Sequence, residues 1–176
     1  KGLSSKELFE VWAYNLGELS DAAASPINNG VSLIENVNSA LANGNVQNVP
    51  TMIGMLSEDM YPYSLYCAAT EYGQKRAAAG GEPVYLYYFD RQQPGDTTFG
   101  AFHAADLYYA FGTLYRNWRP FDDVDYRIAD NMIDYISNFV KTGDPNSKGL
   151  AEWKPATAEE QLFMHFGDEE AAMIAP

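Results

Sequence analysis

Two apolar runs decide the fold: VPTMIGML at 49–56 and PVYLYYFD at 83–90. Each is short, bounded by turn formers and rich in β-branched, aromatic or long aliphatic side chains, which fits strands buried on both faces. Between them, residues 61–80 carry Leu65, Ala68, Ala69 and Tyr72 at helical spacing and end in Gly80-Gly81. A strand, a helix and a second strand in this order predict a right-handed crossover with the two strands parallel. Parallel strands of this kind normally sit in a larger sheet covered by helices on each side, and two are too few. The expectation is an α/β fold whose sheet is incomplete within these 176 residues.

Outward from this unit the punctuation is regular. DRQQPGDTTFG (90–100) is a turn-rich loop, followed by a short apolar helix over 104–111. A longer helix follows, with Asp122 or Asp123 as N-cap, Ile128, Met132, Tyr135, Ile136, Phe139 and Val140 inward, and Lys141 with Gly143 closing it. Residues 143–160 read as loop, and LFMHF (162–166) with AAMIA (171–175) as a terminal hairpin around an acidic turn. On the N-terminal side, Ser4 and Glu7 form a capping-box pattern before an apolar stripe of Leu8, Phe9 and Trp12 that stops at Gly17. Residues 20–48 are polar and Asn/Gly-rich, mostly loop, with a short helical turn near Val37–Ala42.

Composition narrows the function. An apolar content of 47% excludes intrinsic disorder. With 11 basic against 24 acidic residues the net charge is -13, the wrong sign for gripping phosphates, so neither nucleic acid nor an anionic membrane surface is an expected partner. No apolar run approaches the length of a spanning helix, and residues 1–12 lack a signal-peptide core. One cysteine, Cys67, permits no internal disulfide and, with His103 and His165 as the two histidines, argues against a Cys/His zinc cluster.

Ligands of open α/β sheets bind beyond the carboxyl ends of the strands. Glu58 or Asp59 lies just past the first strand, and His103 lies in the loop past the second. Adjacent parallel strands bring both loops to one edge, where a carboxylate can fix an imidazole's tautomer and stabilise its cation. Such a pair is half of a nucleophilic triad, in the order, acid before histidine, that an α/β-hydrolase uses after its serine.

GAFHAADLYYAFG (100–112), YRIADNMIDYISNFVKTGDPN (126–146) and AEWKPAT (151–157) resemble the C-terminal portion of the type B carboxylesterases, the cholinesterase-like α/β-hydrolases. NSALANGNVQNVPTMIGMLSEDM (38–60) resembles the segment ending in that family's acid strand, and PVYLYYFD the strand before its histidine. The resemblance implies one domain portion spanning 1–176, with His103 as general base and Asp59 as the triad acid, Met60 standing where the family has glycine and Glu58 the second choice. It also implies a carboxylic ester substrate, an acyl-enzyme, and no metal or cofactor. The nucleophile elbow G-x-S-x-G and the oxyanion glycine run are absent from the sequence, so the missing N-terminal part of the same fold becomes an expected partner and the chain is expected to be inactive alone. The family also contains adhesion proteins that keep the fold without the triad, the alternative reading. The single helix between Asp59 and Pro83 replaces a much longer family insertion, which implies a more open pocket.

Other residues have plainer readings. FDDVD (121–125) fits helix capping better than a calcium loop. Core packing is expected for most of Tyr108, Tyr109, Phe111, Tyr115 and Trp118, and Cys67 reads as a buried, inert thiol. Ser57 lacks the elbow a nucleophile needs, and His165 should face solvent or cap a strand.

Overall fold

The computed structural model describes residues 2, 4–7, 29–31, 34–36, 39–40 and 43–175, and the chain divides into two compact units, 1–47 and 48–176. In the first unit Ser4 and Glu7 form the reciprocal cap: the Ser4 backbone N–H and hydroxyl each donate to Glu7 Oε2 at 2.7 Å, and the Glu7 N–H donates to Ser4 Oγ at 3.3 Å. The stripe from Leu8 to Gly17 lies outside the described residues, and of the expected turn near 37–42, Ser39 and Ala40 are helical.

The second unit is built on a sheet of four strands in the order β1-β2-β3-β4: β1 Thr51–Leu56, β2 Val84–Phe89, β3 Phe163–Phe166 and β4 Ala172–Ile174. β1 and β2 are parallel, with Thr51 opposite Val84 and Leu56 opposite Phe89. The terminal hairpin forms as expected, and its first strand adds parallel to β2 while β4 returns antiparallel. Within the chain the sheet is therefore mixed, and twice as wide as the two central runs alone imply.

Side-chain alternation gives each face its own core. On one side α1 (Pro62–Ala78) covers Met55, Val84, Leu86 and Phe163. Of the expected Leu65, Ala68, Ala69 and Tyr72 stripe, Ala69 is buried and Tyr72 packs partly buried against this core, whereas Ala68 is exposed and Leu65 is 41% exposed; Gly73 and Arg76 are buried as well. A Cβ on Gly73 would sit 2.9 Å from the Ala156 methyl of the 143–160 loop, so glycine lets the helix and this loop approach closely here. Cys67, one turn from this stripe, is exposed, which overturns its reading as a buried thiol.

The other face carries the larger core. α2 (Leu107–Ala110) and α3 (Asp123–Thr142) lie in this layer, where Ile128, Ala129, Met132 and Tyr135 are buried against Leu56, Tyr85 and Phe89. Val140 points outward at 77% exposure, beyond the stripe that Ile136 and Phe139 complete. Asp122 is the N-cap of α3. Its carboxylate accepts from the N–H groups of Val124 at 3.0 Å and Asp125 at 3.3 Å, and Asp125 accepts in return from the Asp122 N–H at 2.9 Å. Gly143, at φ 79°, closes the helix. Trp153, inside the 143–160 loop, is 1% exposed and packs edge-on to Tyr85, Tyr87, Tyr135 and Phe166, so this loop supplies a central core residue.

Candidate functional site

β1 ends at Leu56 and the next three residues turn over the sheet's carboxyl edge. Ser57 still belongs to the ladder, its N–H donating to Phe89 O at 3.1 Å, and Glu58 forms an isolated parallel bridge with Phe102. Asp59 then projects toward the loop that follows β2. His103 Nδ1 lies 3.0 Å from Asp59 Oδ1 and 3.3 Å from Oδ2. The two turns leaving the parallel strands meet, and the carboxylate that reaches the imidazole is that of Asp59.

The pair is asymmetric in exposure. The Asp59 side chain is 9% exposed and the His103 side chain 67%. Asp59 Oδ1 also accepts the Met60 N–H at 2.7 Å, which holds the carboxylate to its own turn. A carboxylate at Nδ1 selects the tautomer with the proton on that nitrogen and leaves Nε2 with its lone pair outward. Nε2 has no hydrogen-bond partner among the described residues, so it is free to take a proton from, or return one to, a group brought to this rim.

Three tethers set the histidine loop. Glu58 Oε2 accepts the Ala101 N–H at 3.0 Å, while the Glu58 N–H donates to Ala101 O at 3.3 Å. Past the histidine, Gln93, 1% exposed, donates its amide N–H to Ala105 O at 3.0 Å. The Tyr87 hydroxyl then donates to Asp106 Oδ2 at 2.6 Å. Burial first, then the Asp106 charge and bond, push the Tyr87 hydroxyl far above the ordinary tyrosine range, so it stays a donor at any working pH. Tyr87 reaches this far because Gly54 lies opposite it in β1; a Cβ there would run into the Tyr87 ring. Between the tethers Ala104 adopts φ 66°, a left-handed conformation that side-chain-bearing residues rarely take, immediately after His103.

A second network braces the layer beneath. Arg91, just past β2, binds Asp125 through Nε at 2.9 Å and Nη2 at 3.0 Å, Asp168 through Nη1 at 2.6 Å and Asp122 through Nη2 at 3.1 Å. Asp125 is fully buried and also accepts the Tyr109 hydroxyl at 2.7 Å. Burial alone would raise the Asp125 carboxyl; the bonds from Arg91, the Asp122 N–H and Tyr109 outweigh it and hold the group below the usual carboxylate range. FDDVD is thus a cap, as expected, and also an anchor for Arg91, which the sequence reading did not single out.

His165 departs from its expected place. It lies on the α1 side of β3, its side chain 17% exposed, with Nε2 2.7 Å from Asp90 Oδ1 and its ring stacked on Tyr88 at 6.2 Å. The parallel register that sets His165 opposite Tyr88 brings the residue after β2 within reach, and that register could not be read from composition. Of the aromatic residues assigned to the core, Tyr109 is fully buried and Tyr108 partly so, but Phe111, Tyr115 and Trp118 are 74%, 71% and 73% exposed. The Ser57 hydroxyl donates to Glu58, a bond that makes no nucleophile of it.

Comparison with known proteins agrees with this architecture. The Carboxylesterase family profile matches residues 59–175, more than half of the chain. The chain is 34% identical to bile salt-activated lipase of Homo sapiens over 97 residues, 52% of this chain and 13% of the lipase. It is 31% identical to carboxylesterase 4A of Bos taurus over 87 residues, 47% of this chain and 16% of that protein. Among solved structures, a thermophilic PNB esterase superposes with a TM-score of 0.72 at 16% identity, over 98% of this chain and 46% of the esterase. An esterase of Clostridium hathewayi superposes with a TM-score of 0.56 at 20% identity, over 98% of this chain and 30% of that one. The chain thus spans less than half of either of these two esterase structures, and its mostly parallel sheet with flanking helices is part of an α/β-hydrolase fold. Strand order, helix placement and sequence similarity lead to one conclusion: this chain belongs to the carboxylesterase family.

Proposed function

We propose that this chain supplies the general base, His103, and its orienting acid, Asp59, to a Ser-His-Asp triad that hydrolyses carboxylic esters. The nucleophilic serine and the oxyanion donors would come from a part of the fold that the chain does not contain, so residues 1–176 act as one portion of a single hydrolase domain and are inactive alone. The observation that carries this reading is the 3.0 Å contact between His103 Nδ1 and Asp59 Oδ1, with Nε2 outward at the carboxyl edge of the sheet.

In the reaction, Nε2 of His103 removes the serine hydroxyl proton as the serine oxygen bonds to the ester carbonyl carbon. The imidazolium that results is stabilised by Asp59. It returns the proton to the alkoxide oxygen as the carbon–oxygen bond breaks, releasing the alcohol and leaving an acyl-enzyme. Water then repeats the sequence: Nε2 takes its proton, the hydroxide oxygen bonds to the acyl carbon, and the proton goes back to serine as the acid departs.

Two measurements on the full-length protein test this. A fluorophosphonate should label one serine, located by peptide mass spectrometry outside 1–176, and His103→Ala should slow both labelling and p-nitrophenyl butyrate hydrolysis by about 10³-fold or more. Failure to label any serine, with hydrolysis absent in the parent protein, would support the alternative of a non-catalytic esterase-like binding module.

A further inference from the structure

Glu58 sits beside Asp59 yet spends its carboxylate elsewhere. Its Oε2 accepts the Ala101 N–H at 3.0 Å, its own N–H donates to Ala101 O at 3.3 Å, and it forms the isolated parallel bridge to Phe102. These contacts extend the β1–β2 pairing past both strand ends, through the two residues that directly precede His103. Gly100 completes the fit. It holds φ +56°, and a Cβ there would lie 2.8 Å from the Glu58 carboxylate carbon, so no other residue lets the carboxylate approach this stretch of backbone. The Ser57 hydroxyl donates to the same Glu58 oxygen and fixes its rotamer.

We propose that Glu58 is a positioning residue: its side chain clamps the backbone at Gly100–Ala101 and so fixes where His103 meets Asp59. The two adjacent carboxylates divide the work, Asp59 acting on the imidazole and Glu58 on the loop that carries it. This rests on the assignment of His103 and Asp59 given above. What Glu58 supplies is an acceptor oxygen at one point rather than charge. Gln at this position retains an acceptor, whereas Ala removes it and leaves this side of His103 held by the main-chain bond to Ala101 O alone, with Gln93 and Tyr87 on the far side.

The test uses the full-length protein with p-nitrophenyl butyrate, together with the imidazole proton resonances of His103. Glu58→Ala should lower kcat by about 10- to 100-fold with KM within about twofold, because a displaced base costs chemistry rather than ester binding. In the same variant the downfield Nδ1–H signal of His103 should broaden or vanish. Glu58→Gln should restore most of kcat and the signal. Gly100→Ala should reproduce the Glu58→Ala defect and add little to it in the double variant, since both undo the same contact. Unchanged kcat in Glu58→Ala, or a loss in Glu58→Gln as large as in Glu58→Ala, overturns the clamp. His103→Ala separates the two ideas: if it abolishes hydrolysis while Glu58→Ala does not impair it, the clamp fails and the triad stands; if His103→Ala leaves hydrolysis intact, the triad assignment fails. In a protein without hydrolytic activity the Nδ1–H signal still decides, because the clamp requires its loss in Glu58→Ala and its return in Glu58→Gln.

Discussion

Removing the Asp125 carboxylate tests the brace beneath the histidine loop. That carboxylate accepts from Arg91 Nε and Nη2, from the Tyr109 hydroxyl and from the Asp122 N–H, at distances between 2.7 and 3.0 Å. In Asp125→Ala the buried Tyr109 hydroxyl loses its partner, which costs about 1–3 kcal/mol, and the reciprocal cap of α3 loses about 1 kcal/mol more. Arg91 keeps Asp122 and Asp168, both largely exposed, so its charge is not stranded and the total stays near the lower end of the roughly 3–5 kcal/mol seen when a buried pair is broken. About 3 kcal/mol corresponds to roughly a hundredfold faster amide exchange wherever opening is local. Hydrogen exchange of the full-length protein should show it in α2 and the first turns of α3, with α1 and β1 little changed, and Asp125→Asn, which retains one acceptor oxygen, should show a smaller effect. The pH dependence follows from the lowered carboxyl. A group held below its unfolded value, near 3.9, contributes fully above that pH and loses its contribution as pH falls through the folded value, so the difference between parent and variant should be flat at neutral pH and shrink below about pH 4. Exchange within about threefold of the parent in α2 and α3 would refute the reasoning.

Gly54→Ala should destabilise by about 1–3 kcal/mol through collision with the Tyr87 ring, seen as a lower urea midpoint at unchanged slope; an unchanged midpoint would mean that Tyr87 does not occupy this space. Tyr87 and Tyr109 are both raised, by burial first and then by their aspartate partners, so their contribution is complete below the unfolded value near 10 and is lost as pH rises beyond it. Stability should therefore fall on the alkaline side, and less steeply in Tyr109→Phe, as followed by urea midpoints between about pH 8 and 11.

Much of this geometry can be read from the chain, for local reasons. The β1–α1–β2 crossover follows from two uninterrupted apolar runs around a helical segment, and handedness then dictates that the turns after Leu56 and Phe89 share an edge. That logic alone brings an acid and His103 together, but it could not choose between neighbours. The choice of Asp59 is made by backbone: Glu58 continues the ladder and is consumed by Ala101, so the next residue is the first free to reach the imidazole. Trp153 was invisible as core because loops carry no period, and Arg91 and His165 because their partners, Asp125 and Asp90, lie 34 and 75 residues away. The exposed Phe111, Tyr115 and Trp118 show the limit of reasoning from apolarity, since a short helix and its turns offer too little buried area for every aromatic ring they carry.

The most direct test of the account compares Asp59→Asn with Glu58→Gln in the full-length protein by kcat/KM on p-nitrophenyl butyrate. If Asp59 fixes the His103 tautomer, Asn in its place should cost about 10⁴-fold, while Glu58→Gln stays within about twofold of the parent. The reverse order, with Asp59→Asn nearly intact and Glu58→Gln inactive, would contradict it.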